Sequence, residues 1–229
     1  MKTIGIIGGL GPPSTLKYYE WLNDGVQKAL GGVASANIIL TSVNVLDVAA
    51  FRNAKDDTGE GAFFARHAEL LENAGADFIL IASNTSHRNA PYVEAAVKIP
   101  LLHLADATAQ KIVDANVTKV ALLGTPYTME QDFYKSRFAE RGIDVLVPNT
   151  EDRAWMGRAI YDELFKGIVM EDARARFAQV AEGLLEQGAQ GVVLGCTELT
   201  LLNLHEICTA LYFDTTRIHV EAAVAMALG

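Results

Sequence analysis

Two apolar runs, Phe78-Ile79-Leu80-Ile81-Ala82 and Val192-Val193-Leu194-Gly195, stop abruptly at Ser83-Asn84-Thr85 and at Cys196-Thr197-Glu198. Short apolar runs bounded by polar turn residues read as strands buried on both faces, the pattern of a parallel sheet. The pattern recurs. Thr3-Ile4-Gly5-Ile6-Ile7-Gly8-Gly9 is echoed by Lys119-Val120-Ala121-Leu122-Leu123-Gly124-Thr125, and the stretch 101–108 by 210–216. The offsets are 116 (124 − 8), 113 (196 − 83) and 108 (214 − 106). Three echoes at nearly one spacing point to an internal duplication.

Strands are expected over 3–7, 37–43, 77–82, 101–104, 118–123, 143–147, 191–195 and 211–213, with helical patterns between most of them. Pro12-Pro13 suits the first turn of a helix running to about Leu30. Asp57 followed by Glu60 reads as a capping-box-like start of a helix through Asn73, which Gly75 would end. Thr125-Pro126 reads as an N-cap and a first-turn proline, and Asp106 and Asp214 as helix caps. The expected fold is α/β: two similar Rossmann-like lobes with parallel sheets, pseudo-twofold related, with a cleft between them. The first lobe would span 1–100 plus 212–229, and the second 101–211. Open α/β sheets bind ligands at the carboxyl ends of their strands, where Ser83 and Cys196 stand in equivalent places.

Composition narrows the function. The net charge of −9 argues against a nucleic-acid partner, and an acidic ligand would need local positive potential. Two cysteines in 229 residues make no disulfide framework, so a reducing cytoplasm is expected. No run approaches the ~20 apolar residues of a membrane span. The N-terminus enters a strand at Thr3 without an apolar h-region, so no signal peptide is expected. The five histidines show no zinc spacing, and no metal is expected.

Cys196 is the leading chemical candidate. A thiol at the end of a strand and the start of a helix is expected to have a lowered pKa and to act as a base or nucleophile. Ser83 occupies the matching place, and the turn Asn84-Thr85-Ser86 offers backbone N–H groups to a carboxylate. His87 is only one helical turn from Ser83, a poor geometry for a Ser–His pair, and no G-x-S-x-G elbow exists. The loop Gly8-Gly9-Leu10-Gly11 is a weak dinucleotide match, because Ser14 takes the third glycine position and no acidic residue closes the second strand. It better suits backbone approach to a small anion. Arg52 and Lys166 are candidate counter-charges for an acidic ligand. Thr125 and Thr128 are candidate carboxylate contacts, and Glu198 a partner for a substrate ammonium or for the Cys196 turn.

Together these segments resemble the aspartate/glutamate racemase family over nearly the whole chain. The resemblance rests on Gly8-Gly9-Leu10-Gly11, Ser83-Asn84-Thr85-Ser86-His87, Gly124-Thr125-Pro126-Tyr127-Thr128-Met129 and Gly195-Cys196-Thr197-Glu198. Thr128-Met129-Glu130-Gln131-Asp132-Phe133-Tyr134 looks closest to the branch specific for L-aspartate and L-glutamate. The resemblance implies a cofactor-independent two-base reaction on a small acidic amino acid; a homodimer without nucleic-acid or membrane partners is expected. One thiolate removes the Cα proton and a thiol on the other face returns one. The family's second cysteine falls on Cys196 and its first on Ser83, which is the departure. Substrate contacts map by resemblance to Leu10, Arg52, Ser83, Asn84, Thr85 and Thr197. Two other readings remain open: a single-cysteine decarboxylase that protonates an enediolate on one face, and a catalytically impaired amino-acid-binding protein.

Overall fold

The computed structural model describes residues 1–229, which divide into two compact units: Met1–Leu104 with His219–Gly229, and Ala105–Ile218. The first unit opens with β1 (Ile4–Gly8), α1 (Pro12–Leu30), β2 (Ile38–Ser42), α2 (Val45–Ala54), α3 (Asp57–Asn73), β3 (Phe78–Ile81), a 3-10 turn over Thr85–Asn89, and α4 (Ala90–Ala96). Its sheet has the order β2-β1-β3, all parallel, and Leu101 extends it through a parallel bridge to Ile79.

Both faces of this sheet are apolar, as its continuous runs require. Ile7, Ile79 and Ile81 pack with Phe64, Ala68 and Leu71 of α3 and Val93 of α4. Ile4, Ile6, Phe78 and Leu80 alternate to the other face, against Tyr18 and Leu22 of α1 and the returning residues Val220, Ala223 and Ala227. The turn after β1 depends on Gly9. Its φ is +81°, and a Cβ there would stand 2.1 Å from the Val43 carbonyl oxygen. Gly9→Ala should therefore destabilise the protein by about 3 kcal/mol or more, read as a lowered denaturant midpoint. An unchanged midpoint would mean that the loop relaxes freely.

The second unit holds α5 (Leu104–Asp114), β4 (Lys119–Gly124), α6 (Pro126–Glu130), α7 (Asp132–Ala139), β5 (Asp144–Leu146), α8 (Thr150–Asp162), α9 (Glu171–Glu186), β6 (Val192–Gly195) and β7 (Tyr212–Asp214). α10 (Thr215–Leu228) begins here, and its residues from His219 onward belong to the first unit. The sheet order is β5-β4-β6-β7, again all parallel. The return to the first unit thus comes at His219 rather than at residue 212, because Tyr212–Asp214 pair with β6.

The two sheets share one plan, β2-β1-β3 with Leu101 matching β5-β4-β6-β7. The third sequence echo needs correction. Ile79 faces Leu101 and Val192 faces Tyr212, so that pair of segments aligns at 111 (212 − 101) rather than 108. Asp214 then corresponds to His103. Asp214 does cap α10, accepting from the Thr216 and Arg217 N–H groups at 3.0 and 3.1 Å. Asp106 is no cap: it lies inside the first turn of α5 and pairs with Arg137. The start of α3 is also shifted by one residue. Asp56 is the N-cap, accepting from Gly59 N–H at 2.8 Å, and Glu60 turns inward to full burial.

His219 ties α10 into the first unit. The Tyr18 hydroxyl donates to its Nδ1 and its Nε2–H donates to the Leu102 carbonyl, both at 2.8 Å. Burial disfavours the imidazolium and lowers the pKa to about 4, although the bond to Leu102 works the other way. The unfolded chain binds this proton below about pH 6.5, whereas the folded chain resists it down to about 4. The associated stability, about 3 kcal/mol, is complete above pH 6.5 and is lost as the pH falls toward 4. Urea unfolding of the native chain and of His219→Gln across this window should show a steeper loss for the native chain. Parallel curves would refute the assignment.

Candidate functional site

Each unit gathers polar side chains at the carboxyl end of its sheet. In the second unit, Gly124 and Gly195 lie opposite one another in the β4–β6 register. A Cβ on Gly124 would come within 2.8 Å of the Gly195 carbonyl oxygen, so these strand ends close up as only glycines allow. Cys196 follows directly, with extended backbone, and leads into a 3-10 turn over Thr197–Leu202. Cys196, Thr197 and Glu198 are all buried.

The Cys196 thiol donates to Glu198 Oε2 at 3.0 Å. Burial pushes the thiol pKa well above its usual value, and the Glu198 carboxylate adds to the rise by its charge and by accepting the S–H proton. This overturns the expectation of a lowered pKa. The six-residue 3-10 turn is too short to present much dipole, while a buried carboxylate stands beside the sulfur. These surroundings hold the Cys196 sulfur as a thiol, with its S–H on Glu198 Oε2.

Thr125 N-caps α6, its Oγ1 accepting from Thr128 N–H at 3.3 Å and lying 3.2 Å from Thr128 Oγ1. The Thr128 methyl lies 3.3 Å from where a Cβ on Gly195 would stand, which places both threonines beside the cysteine turn. Lys166 is exposed at the end of the 3-10 turn Leu164–Lys166, which packs against the turn carrying Thr197 and Glu198.

In the first unit, Ala82 N–H continues the ladder to the Ile7 carbonyl, and half-buried Ser83 leaves the sheet just beyond. Ser83 Oγ accepts from Ser86 N–H at 3.4 Å. Asn84 and Thr85 are buried at the start of the Thr85–Asn89 turn. His87 serves this turn structurally. Its Nδ1–H donates to the Ser83 carbonyl at 2.7 Å and its Nε2 accepts from Leu104 N–H at 3.2 Å. The ring meets the Ser83 carbonyl and not its hydroxyl, so no Ser–His base pair exists. Leu10 sits with its side chain in the core beside Ile7, Val43 and Val48, so its backbone is what it can offer a ligand.

Arg52, in the last turn of α2, reaches this loop. Its Nη2 donates to Ser86 Oγ at 3.2 Å, and Nε and Nη2 both donate to Glu60 Oε1, at 3.1 and 2.8 Å. Asn89 Nδ2 donates to the same Glu60 oxygen at 3.0 Å. The sequence pointed to Arg52 and to the turn holding Ser86, but it read Glu60 only as part of a helix cap and did not single out Asn89. An acidic residue near a helix start looks like a cap, and nothing in linear spacing reveals that it is buried.

Among known proteins, a family model described as Asp/Glu/hydantoin racemase matches residues 7–223. The chain is similar to a Yersinia pestis protein whose structure is described as a candidate Asp/Glu racemase, with 42% identity, a TM-score of 0.95 and full coverage of both chains. An aspartate racemase homologue from Pyrococcus horikoshii OT3 is 34% identical, with a TM-score of 0.88 and full coverage of both chains. The broad specificity amino-acid racemase RacX of Bacillus subtilis is 29% identical over 147 residues, 62% of this chain and 63% of that one. No helix is long and apolar enough to cross a membrane.

Proposed function

We propose, given that the chain belongs to the Asp/Glu/hydantoin racemase family, that it interconverts the enantiomers of aspartate or glutamate without a cofactor. The single observation that carries the reading is the hydrogen bond from the Cys196 thiol to Glu198 at the end of β6, with Ser83 at the matching place after β3. Glu198 takes the thiol proton, and the resulting thiolate removes the Cα proton of the bound amino acid on one face. The thiol is then regenerated. On the other face Ser83 donates its hydroxyl proton to the carbanion; solvent reprotonates the oxygen and Glu198 releases its proton to solvent, which restores the site. In the reverse direction Ser83 must act as the base, a task for which a hydroxyl is far weaker than a thiolate.

N–H groups of the Asn84–Thr85 and Thr197–Glu198 turns, with the Thr125 and Thr128 hydroxyls, hold the α-carboxylate and stabilise the charge that develops on it. Arg52 receives the side-chain carboxylate and Lys166 adds positive potential, which a chain of net charge −9 must supply locally. Incubation with each enantiomer of aspartate and glutamate in heavy water, followed by proton NMR, tests this. The expected result is Cα–H loss at unequal rates from the two enantiomers. Equal rates would refute the single-thiol account, and no exchange from any of the four would refute the racemase.

The resting, protonated thiol also favours a second reading, a decarboxylase in which Cys196 protonates an enediolate on one face. Carbon dioxide release from a disubstituted malonate, without Cα exchange of amino acids, would select it.

A further inference from the structure

Glu60 is a carboxylate with no exposure at all, and the entry to α3 does not need it, because Asp56 already caps that helix. A charge so buried persists only when it is paired and hydrogen-bonded. Its Oε1 takes three donors: Arg52 Nε at 3.1 Å, Arg52 Nη2 at 2.8 Å and Asn89 Nδ2 at 3.0 Å. Arg88 flanks the other oxygen, with Nη1 at 3.9 Å, while its Nη2 pairs with Asp57. Asn89 also donates to the Ser86 carbonyl at 3.3 Å, so the anchor grips the turn that follows Ser83.

We infer that Glu60 is a positioning residue: it fixes the plane of the Arg52 guanidinium beside Ser83, so that the enzyme selects amino acids bearing a second carboxylate. The inference rests on the reading of Arg52 as the contact for the substrate's side-chain carboxylate. Glu60 holds the Nε–Nη2 edge of the fork from α3, and Ser86 holds Nη2 from the turn. The Ser86 N–H in turn reaches Ser83 Oγ at 3.4 Å. The long side chain is thereby ordered before any ligand arrives, which spares the entropy that a free arginine would lose on binding. Both bonds from Arg52 end on one oxygen, so a neutral carboxamide at position 60 can still accept them, whereas alanine cannot.

The test compares Glu60→Ala, Glu60→Gln and Ser86→Ala with the native chain, using Cα–H exchange kinetics on aspartate and glutamate. Glu60→Ala should raise KM at least tenfold with kcat changed less than threefold, the split expected when ground-state and transition-state binding are lost equally. Glu60→Gln should restore KM to within about threefold of native. If Glu60→Ala does not fold, Ser86→Ala carries the test through a rise in KM of about threefold at constant kcat. An unchanged KM in whichever of these two variants folds would overturn the inference, as would equal losses in kcat and KM or the absence of rescue by glutamine. If the native chain exchanges no Cα–H, the racemase reading fails separately, and calorimetric aspartate affinity replaces KM in the same comparison. A native chain that binds no aspartate overturns the inference as well.

Discussion

Cys196→Ala should lower Cα–H exchange on aspartate and glutamate by about 10³-fold or more, the range expected when a positioned acid–base group is removed. The residue is buried, small, and tied by its side chain to Glu198, so the substitution deletes one sulfur and little packing. The fold should survive, as an unshifted far-ultraviolet spectrum and a thermal midpoint within a few degrees would show. Glu198→Gln should act in the same direction, because an amide cannot accept the proton and leave a thiolate behind. Exchange that persists in Cys196→Ala at the native rate would remove the thiol from the mechanism. Burial and the neighbouring carboxylate both hold the thiol pKa up, so the sulfur rests as a thiol, and the proposed mechanism needs a proton acceptor such as Glu198 rather than a standing thiolate. Alkylation of Cys196 by iodoacetamide at pH 7 should accordingly be much slower than that of a free thiol. Rapid labelling would contradict the protonated resting state.

Ser83→Cys should raise racemisation by about 10²-fold, the largest gain expected of any single change. Ser83 leaves the sheet where Cys196 leaves its counterpart, and its Oγ accepts from the Ser86 N–H at 3.4 Å. A thiolate at the same place would be stabilised by that donor and by the nearby Arg52, whose guanidinium reaches Ser86. The gain should fall mostly on the enantiomer whose proton the proposed mechanism assigns to Ser83, since that mechanism already gives the other direction a thiolate base. Exchange from the two enantiomers would then become more nearly equal. A Ser83→Cys chain with native rates in both directions would mean that this hydroxyl lies away from Cα.

Local pattern made much of the scaffold readable. The runs at Ile4–Gly8, Phe78–Ile81, Lys119–Gly124 and Val192–Gly195 are strands because they are apolar on both faces and end at glycine or small polar residues. Pro12 opens α1 and Thr125 caps α6, as their local preferences require. Two readings failed where a residue's partner lies elsewhere in the sequence. Asp106 pairs with Arg137 across 31 positions, and Glu60 with Arg52 and Asn89. Each looks locally like part of a helix cap, and only packing shows what it meets.

The amino-acid sequence alone determined the α/β class, the duplicated strand plan and the equivalent places of Ser83 and Cys196 after their strands, because apolar periodicity and a repeat are properties of linear order. Tertiary structure decided the surroundings that hold the proton on Cys196, the partners of Glu60 and the chain's return to the first unit at His219. These depend on which groups exclude water from one another, and desolvation is set by neighbours in space, which linear order does not carry.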